Sequence, residues 1–253
     1  MRVVTNEALI KRSRKWATRL FFLSLGILAL GFFVANGQLF GLIPDEAITP
    51  ELYGLVMPLV LLIGFIATLT SVRMTNLWIR VPRPEKAIQD GLKGISNKSA
   101  LYNYYHFPAR HVLITPQGVF PIVTRFQDGK FAVKGTEKGD RWRTFKGPIG
   151  ALFTLIRLDG IGNPSRDAEQ AKAYVRYLTE DYDSTIPIYP IVVFVDPKAK
   201  LLEIDNPNVP VVFADSKSEP NLKDFIKSKE DAAQFKGEGI KEFIEEWEEA
   251  TLD

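Results

Sequence analysis

Residues 110–126 read RHVLITPQGVFPIVTRF, two apolar runs separated by Pro116-Gln117-Gly118. β-Branched and aromatic side chains fill both runs, and the Pro-x-Gly break supplies a turn. Apolar residues on both faces of each run are the pattern of central strands covered on two sides. Working outward, Asp128-Gly129 marks the next turn. Residues 130–134 and 141–145 then alternate charge with Phe131, Val133, Trp142 and Phe145, as half-exposed strands do. Gly160-Ile161-Gly162 reads as a loop, and Asn163-Pro164 opens a helix, an N-cap followed by proline at the first position. Ala168, Ala171, Val175 and Leu178 are its buried stripe. Residues 186–195 (IPIYPIVVFV) are a buried strand, residues 209–213 a second one parallel to it, and residues 101–107 are aromatic and strand-like. Short helices fit residues 85–95 and 222–229. The tail over 239–250 places Ile240, Phe243, Ile244 and Trp247 on one face and glutamates on a solvated opposite face. The expectation is an α/β domain with a mixed central sheet flanked by helices.

A different signal precedes it. Residues 20–44 and 52–72 contain no Asp, Glu, Lys, Arg or His. A helix needs roughly 20 apolar residues to cross the ~30 Å hydrocarbon layer. Lys11, Arg12, Arg14, Lys15 and Arg19 precede the first stretch, Arg73, Arg80 and Arg83 follow the second, and Asp45, Glu46 and Glu51 lie between. Lys and Arg stay on the cytoplasmic side of short loops, so the pattern predicts a two-helix transmembrane hairpin with both ends cytoplasmic. Arg19, Arg73, Trp78 and Arg80 are its membrane-interface residues. Gly37 and Gly41 form a G-x-x-x-G at the end of the first stretch, a weak pairing motif. A secretory signal also has a basic flank and an apolar run such as residues 20–35, but Phe33 stands where cleavage after Ala35 wants a small residue. The expected division is a basic cytoplasmic N-terminus over 1–15, spans over 16–36 and 52–73, and an external loop over 37–51. A connector follows over 74–84, then the cytoplasmic domain over 85–230 and an acidic amphipathic helix over 231–253.

Composition narrows the chemistry. The 253 residues include no cysteine and two histidines, His106 and His111. Disulfides, thiolate zinc sites, cysteine nucleophiles and His-rich metal sites are therefore excluded. The net charge of +2 hides an asymmetry. Residues 73–150 hold 14 basic and 5 acidic residues, a balance of +9, whereas residues 151–253 hold 12 and 21, a balance of −9. The basic half suits anionic headgroups or nucleic-acid phosphates, and the two halves can equally neutralise each other on folding. The sequence contains no G-x-S-x-G, no phosphate loop ending in Lys-Ser/Thr and no H-E-x-x-H.

The run from Arg110 to Phe120, then Ile122-Val123-Thr124-Arg125 and Gly129, resembles the nuclease-related domain (NERD) of the restriction-endonuclease-like superfamily. That family has an acidic residue and His entering a strand, a Pro-x-Gly turn, and a second strand ending in acid-x-Lys before a glycine. Asn163-Pro164, residues 187–195 and residues 209–213 follow in the family's order. The resemblance covers about residues 85–226 and implies a restriction-endonuclease-like fold. It also implies a magnesium site built from carboxylates, with a lysine positioning the attacking water. Those positions here are Arg110, Val123 and Arg125, a degenerate motif. A guanidinium neither ligates a cation nor acts as a base at neutral pH, and valine supplies no oxygen. Glu85 alone remains of the family's early acids, with Asp128 in a turn beyond the strand.

The sequence therefore predicts no catalytic residues, no metal and no cofactor. Arg110 and Arg125, expected to face one concavity, form with Lys134, Lys138 and Arg143 a candidate anion-binding set; an internal salt bridge is the competing reading. His111 reads as a packed strand residue. Trp142, Phe126 and Phe131 read as core before base-stacking platforms. The expected function is a membrane-anchored, catalytically inactive binding or accessory module at the cytoplasmic membrane surface. Its expected partners are membrane lipids and a protein, with nucleic acid as a further ligand class. A membrane-bound magnesium nuclease and a structural subunit of a membrane complex are the alternatives.

Overall fold

The computed structural model describes residues 1–36, 40–41, 50–157, 160–180, 185–229 and 239–252. It divides into two units, Met1–Glu7 with Pro82–Leu155 and Asp159–Asp253, and Ala8–Val81 with Ile156–Leu158.

The first unit is built on a six-stranded mixed sheet. Its strands are β1 (Arg2–Thr5), β2 (Ala100–Asn103), β3 (His111–Thr115), β4 (Gly118–Arg125), β7 (Ile191–Phe194) and β9 (Val211–Phe213), in the spatial order β1-β2-β3-β4-β7-β9. β1 and β2 run parallel, β2–β3 and β3–β4 are antiparallel pairs, and β4, β7 and β9 run parallel. The predicted hairpin is β3–β4, closed at Thr115↔Gly118. Gly118 takes φ +139°, and a Cβ there would lie 2.5 Å from the Pro187 carbonyl oxygen, so the turn requires glycine.

Helices cover both faces, as the apolar strands demanded. α3 (Pro84–Gly91) and α6 (Leu222–Lys227) pack on one face around Leu113, Phe120, Ile122 and Val193. α5 (Pro164–Thr179) and α7 (Gly239–Thr251) pack on the other around Tyr102, Val112, Ile114 and Val119. The N-cap of α5 forms as predicted: Asn163 Oδ1 accepts from the Arg166 amide at 3.1 Å. A smaller sheet, ordered β6-β5-β8, contains β5 (Gly129–Lys134), β6 (Arg141–Phe145) and β8 (Ala199–Asp205). Its inner face, Phe131 and Val133, packs with Ala168, Phe194 and Phe213. α4 (Pro148–Arg157) follows β6.

Several expected boundaries shift. The N-terminal segment 1–15 holds a strand, β1, which pairs in parallel with β2 from Arg2↔Ala100 to Thr5↔Asn103. The aromatic run 101–107 is strand only to Asn103, because Tyr104 turns the chain at φ +65°. Arg110 lies just before β3, and the 186–195 strand is regular only over Ile191–Phe194. α4 and β8 lie in stretches the sequence reading left unassigned. The C-terminal helix starts at Gly239 and buries Ile240, Phe243 and Trp247; residues 231–238 lie outside the described residues.

The second unit is a pair of helices, α1 (Glu7–Asn36) and α2 (Pro50–Trp78), each long and apolar enough to cross a membrane. They contain the predicted spans 16–36 and 52–73, and α2 continues into the predicted connector as far as Trp78. Ile10, Ala17, Ser24 and Gly31 recur every seventh residue on the buried face of α1, and Met57, Gly64 and Ser71 do so on α2. A Cβ added at Gly31 would sit 3.3 Å from Val60 Cγ1, and one at Gly64 would sit 3.3 Å from Ile27 Cγ2. Small residues at heptad spacing let two apolar helices approach closely. Pairing runs through these positions; Gly37 of the Gly37–Gly41 motif and most of the 37–51 loop lie outside the described residues. Arg14 Nε donates to the Trp78 carbonyl at 3.0 Å, satisfying an end of α2. Arg19 lies over the ring of Trp16, Arg73 is exposed, and Trp78 and Arg80 are half-buried.

Candidate functional site

The motif positions lie on and around the β3–β4 hairpin. Val123, on β4, is partly buried and packs against the cluster under α5 and α7 and the cluster under the small sheet. Arg125, two residues on, has a side chain only 13% exposed and pairs with Asp167 on the first turn of α5. Its Nε donates to the Ile161 carbonyl and its Nη1 to the Thr124 carbonyl, both at 3.1 Å. Burial pulls the guanidinium below its ordinary pKa while Asp167 pulls it back up. The ion that the sequence placed in a ligand cleft is thus committed to the protein's own α5 and the loop before it. The same loop is tied down a second time, because Gln127 Nε2 donates to the Gly160 carbonyl at 3.1 Å.

The other half of the motif lies against α3. Arg110 stacks over Phe107, its guanidinium carbon 5.1 Å from the ring centre. Glu85 accepts from the Tyr104 hydroxyl at 3.0 Å, and the Tyr104 ring meets His111 edge-on at 4.9 Å. His111 is fully buried. Its Nδ1 lies 2.8 Å from Asn103 Oδ1, and Asn103 Nδ2 donates to Thr5 Oγ1 at 3.1 Å. The Asn103 oxygen can only accept, so His111 carries its proton on Nδ1 and presents a lone pair at Nε2. That Nε2 is buried without a partner among the described residues. Burial, with Arg110 nearby, pushes the His111 pKa down to about 3. His111 is a packed, neutral strand residue, as the sequence suggested.

Lys134 is bound to Asp205 across β5 and β8 at 2.6 Å, which removes it from the expected anion-binding set as an unneutralised cation. Lys138 and Arg143 are exposed. Phe131 is fully buried, Phe126 packs on the α3 side of the core, and Trp142 donates from Nε1 to Ser165 Oγ at 3.0 Å. All three aromatics serve packing. Sequence reading missed Asp140, a buried carboxylate that accepts from Ser165 Oγ at 2.5 Å and the Asn208 amide at 2.7 Å. Its signal was faint: one acid in a charged turn, with partners 25 and 68 residues away.

A cavity of about 200 Å³ is lined by Gln127, Phe131, Thr144, Lys146, Thr154, Gly160 and Ile161. This is below the ~300–1,000 Å³ of typical small-molecule pockets. Among the described residues, no three His, Asp or Glu side chains converge in a way that would hold a metal ion. No family model, curated protein or solved structure matches the chain.

Proposed function

We propose that this chain is a membrane-anchored cytoplasmic module that binds rather than cleaves, built on a degenerate NERD-like, restriction-endonuclease-like core. The observation that carries this reading is the occupation of the motif strand. Val123 presents hydrocarbon where the resemblance asks for an oxygen ligand, and Arg125 is closed by Asp167 where it asks for a lysine beside water. The hairpin β3–β4, the Asn163-capped α5 and the parallel strand β7 come in the order of the resemblance; the three strands adjoin in one sheet and α5 packs on β4 and β7, which supports the core assignment.

The parallel pairing of β1 with β2 supports the topology. β1 precedes the first long apolar helix and β2 follows the second, so the α1–α2 hairpin, with α3, is the crossover connection of one parallel strand pair. Strands that share hydrogen bonds lie on one side of any bilayer the hairpin crosses, and the basic flanks make that side cytoplasmic. Cleavage after Ala35 would remove β1 from the sheet, which argues against a secretory signal.

The test of function is a cleavage assay on the full chain in mild detergent, with DNA and RNA and Mg²⁺ or Mn²⁺. No cleavage is expected; cleavage abolished by Glu85→Ala would sink the reading. Topology is checked in the same cysteine-free background. Cysteines at Lys11 and Lys217 should react with a membrane-impermeant maleimide from one side only, and one at Glu46 from the other.

A further inference from the structure

The small sheet turns its outer face to solvent. Phe145, Arg143 and Arg141 on β6 stand opposite Lys130, Ala132 and Lys134 on β5, and cross-strand partners share a face. Lys134 is neutralised by Asp205 on the β8 side, whereas Lys130, Arg141 and Arg143 have no carboxylate partner among the described residues. Unneutralised charge therefore gathers at β6, an edge strand. Lys146 and Gly147 link it to α4, and three apolar side chains at this junction are exposed: Phe145 is 49%, Ile149 71% and Leu152 57% accessible. Ile149 and Leu152 lie at i and i+3, on one side of the helix.

Cations beside exposed aliphatic residues on a short apolar helix are the composition of a surface that sits in a headgroup layer. A nucleic-acid surface would pair its cations with stacking rings, but among the described residues two of the three exposed apolar positions here are aliphatic, and the neighbouring Phe131 and Trp142 turn inward. We infer that the β6–α4 surface docks on the anionic lipid of the membrane that the α1–α2 hairpin crosses, with Ile149 and Leu152 inserted and Lys130, Arg141 and Arg143 on lipid phosphates. This rests on the membrane reading of the hairpin, which would hold the surface at high local lipid concentration.

The absence of cysteine makes the test clean. Full-length chain carrying one fluorophore-labelled cysteine, at Ile149, Leu152, Leu62 or Lys217, is reconstituted into vesicles containing brominated acyl chains, either neutral or 30% phosphatidylglycerol. Leu62, on α2, reports the hairpin; Lys217, on an exposed turn, reports bulk water. In anionic vesicles, quenching at 149 and 152 should exceed that at 217 at least threefold. It should fall at least twofold on raising salt from 0.05 to 0.5 M or on Arg141→Glu/Arg143→Glu. Quenching at 62 with 149 and 152 no different from 217 overturns the docking surface and leaves the hairpin intact. Absence of quenching at 62 removes the membrane reading itself. Equal quenching at 149 and 152 in neutral vesicles, indifferent to charge reversal, overturns the anionic recognition. Shielding of these two labels by added nucleic acid, without lipid quenching, assigns the surface to phosphodiesters instead.

Discussion

Arg2 and Glu248 form an ion pair that ties the second residue of the chain to its last described helix. The Tyr102 hydroxyl donates to the same Glu248 oxygen at 2.8 Å, so β1, β2 and α7 meet on one carboxylate. Glu248 raises the Arg2 pKa, and burial raises that of Tyr102, which keeps the phenol protonated as a donor. The closure secures the edge strand β1, whose own four residues give it little independent stability.

Glu248→Ala removes the acceptor of a buried phenol as well as an ion pair. Arg2 is half exposed, so the charge itself contributes only about 0–1 kcal/mol. The stranded hydroxyl adds ~1 kcal/mol or more. We expect a total loss of about 1–2 kcal/mol in detergent-solubilised chain, measured by urea unfolding, with Glu248→Gln keeping the acceptor and losing less.

Asp167→Ala should cost more. It leaves Arg125, with a side chain 13% exposed, as a nearly buried cation held only by carbonyls. Breaking a buried pair costs ~3–5 kcal/mol, and the half-exposed Asp167 reduces this to about 2. The double variant Arg125→Met/Asp167→Ala should recover much of the loss, because the uncompensated charge is gone. An additive double-mutant cycle would show that the pair is not coupled as its geometry requires.

Acid should destabilise the fold through its two histidines. His106 is buried against Trp247, Tyr174 and Tyr105, and burial lowers its pKa to about 4; that of His111 is lowered to about 3. Both are ordinarily near 6.5 in an unfolded chain. Between these values the unfolded state binds more protons, so stability is greatest above pH ~6.5 and falls as pH drops toward 4 and then 3. The loss is of order a few kcal/mol per group. His106→Phe should flatten the profile between pH 6.5 and 5, read as the urea midpoint; an unchanged slope would count against this burial.

The sequence revealed the elements whose signal is local. The β3–β4 hairpin, the Asn163 cap and the two apolar helices each carry their evidence within about 20 residues, and each is present. β1 was illegible because RVVT is four residues long and pairs with a strand nearly 100 residues away. The fate of Arg125 was illegible for the same reason: its partner Asp167 lies 42 residues on, brought close only when α5 packs on β4 and β7. Local strand and cap signals were readable; pairing that tertiary structure creates was not.

Gly91 offers the sharpest test of how α3 positions Glu85. It ends the helix whose first turn carries that residue, and a Cβ there would lie 2.0 Å from the Ala214 carbonyl oxygen, just beyond β9. Neither side of that contact is a flexible side chain. Gly91→Ala must therefore push α3 away from the sheet, loosening Ile88 and Leu92, both fully buried. Overpacking of this kind costs ~1–3 kcal/mol, and we expect the upper end because backbone has to move. Gly239→Ala, where an added Cβ meets nothing within 4 Å, is the matched control and should stay within about 0.5 kcal/mol. Equal midpoints for the two variants in urea would mean that α3 does not pack on the end of β9 as closely as this contact demands.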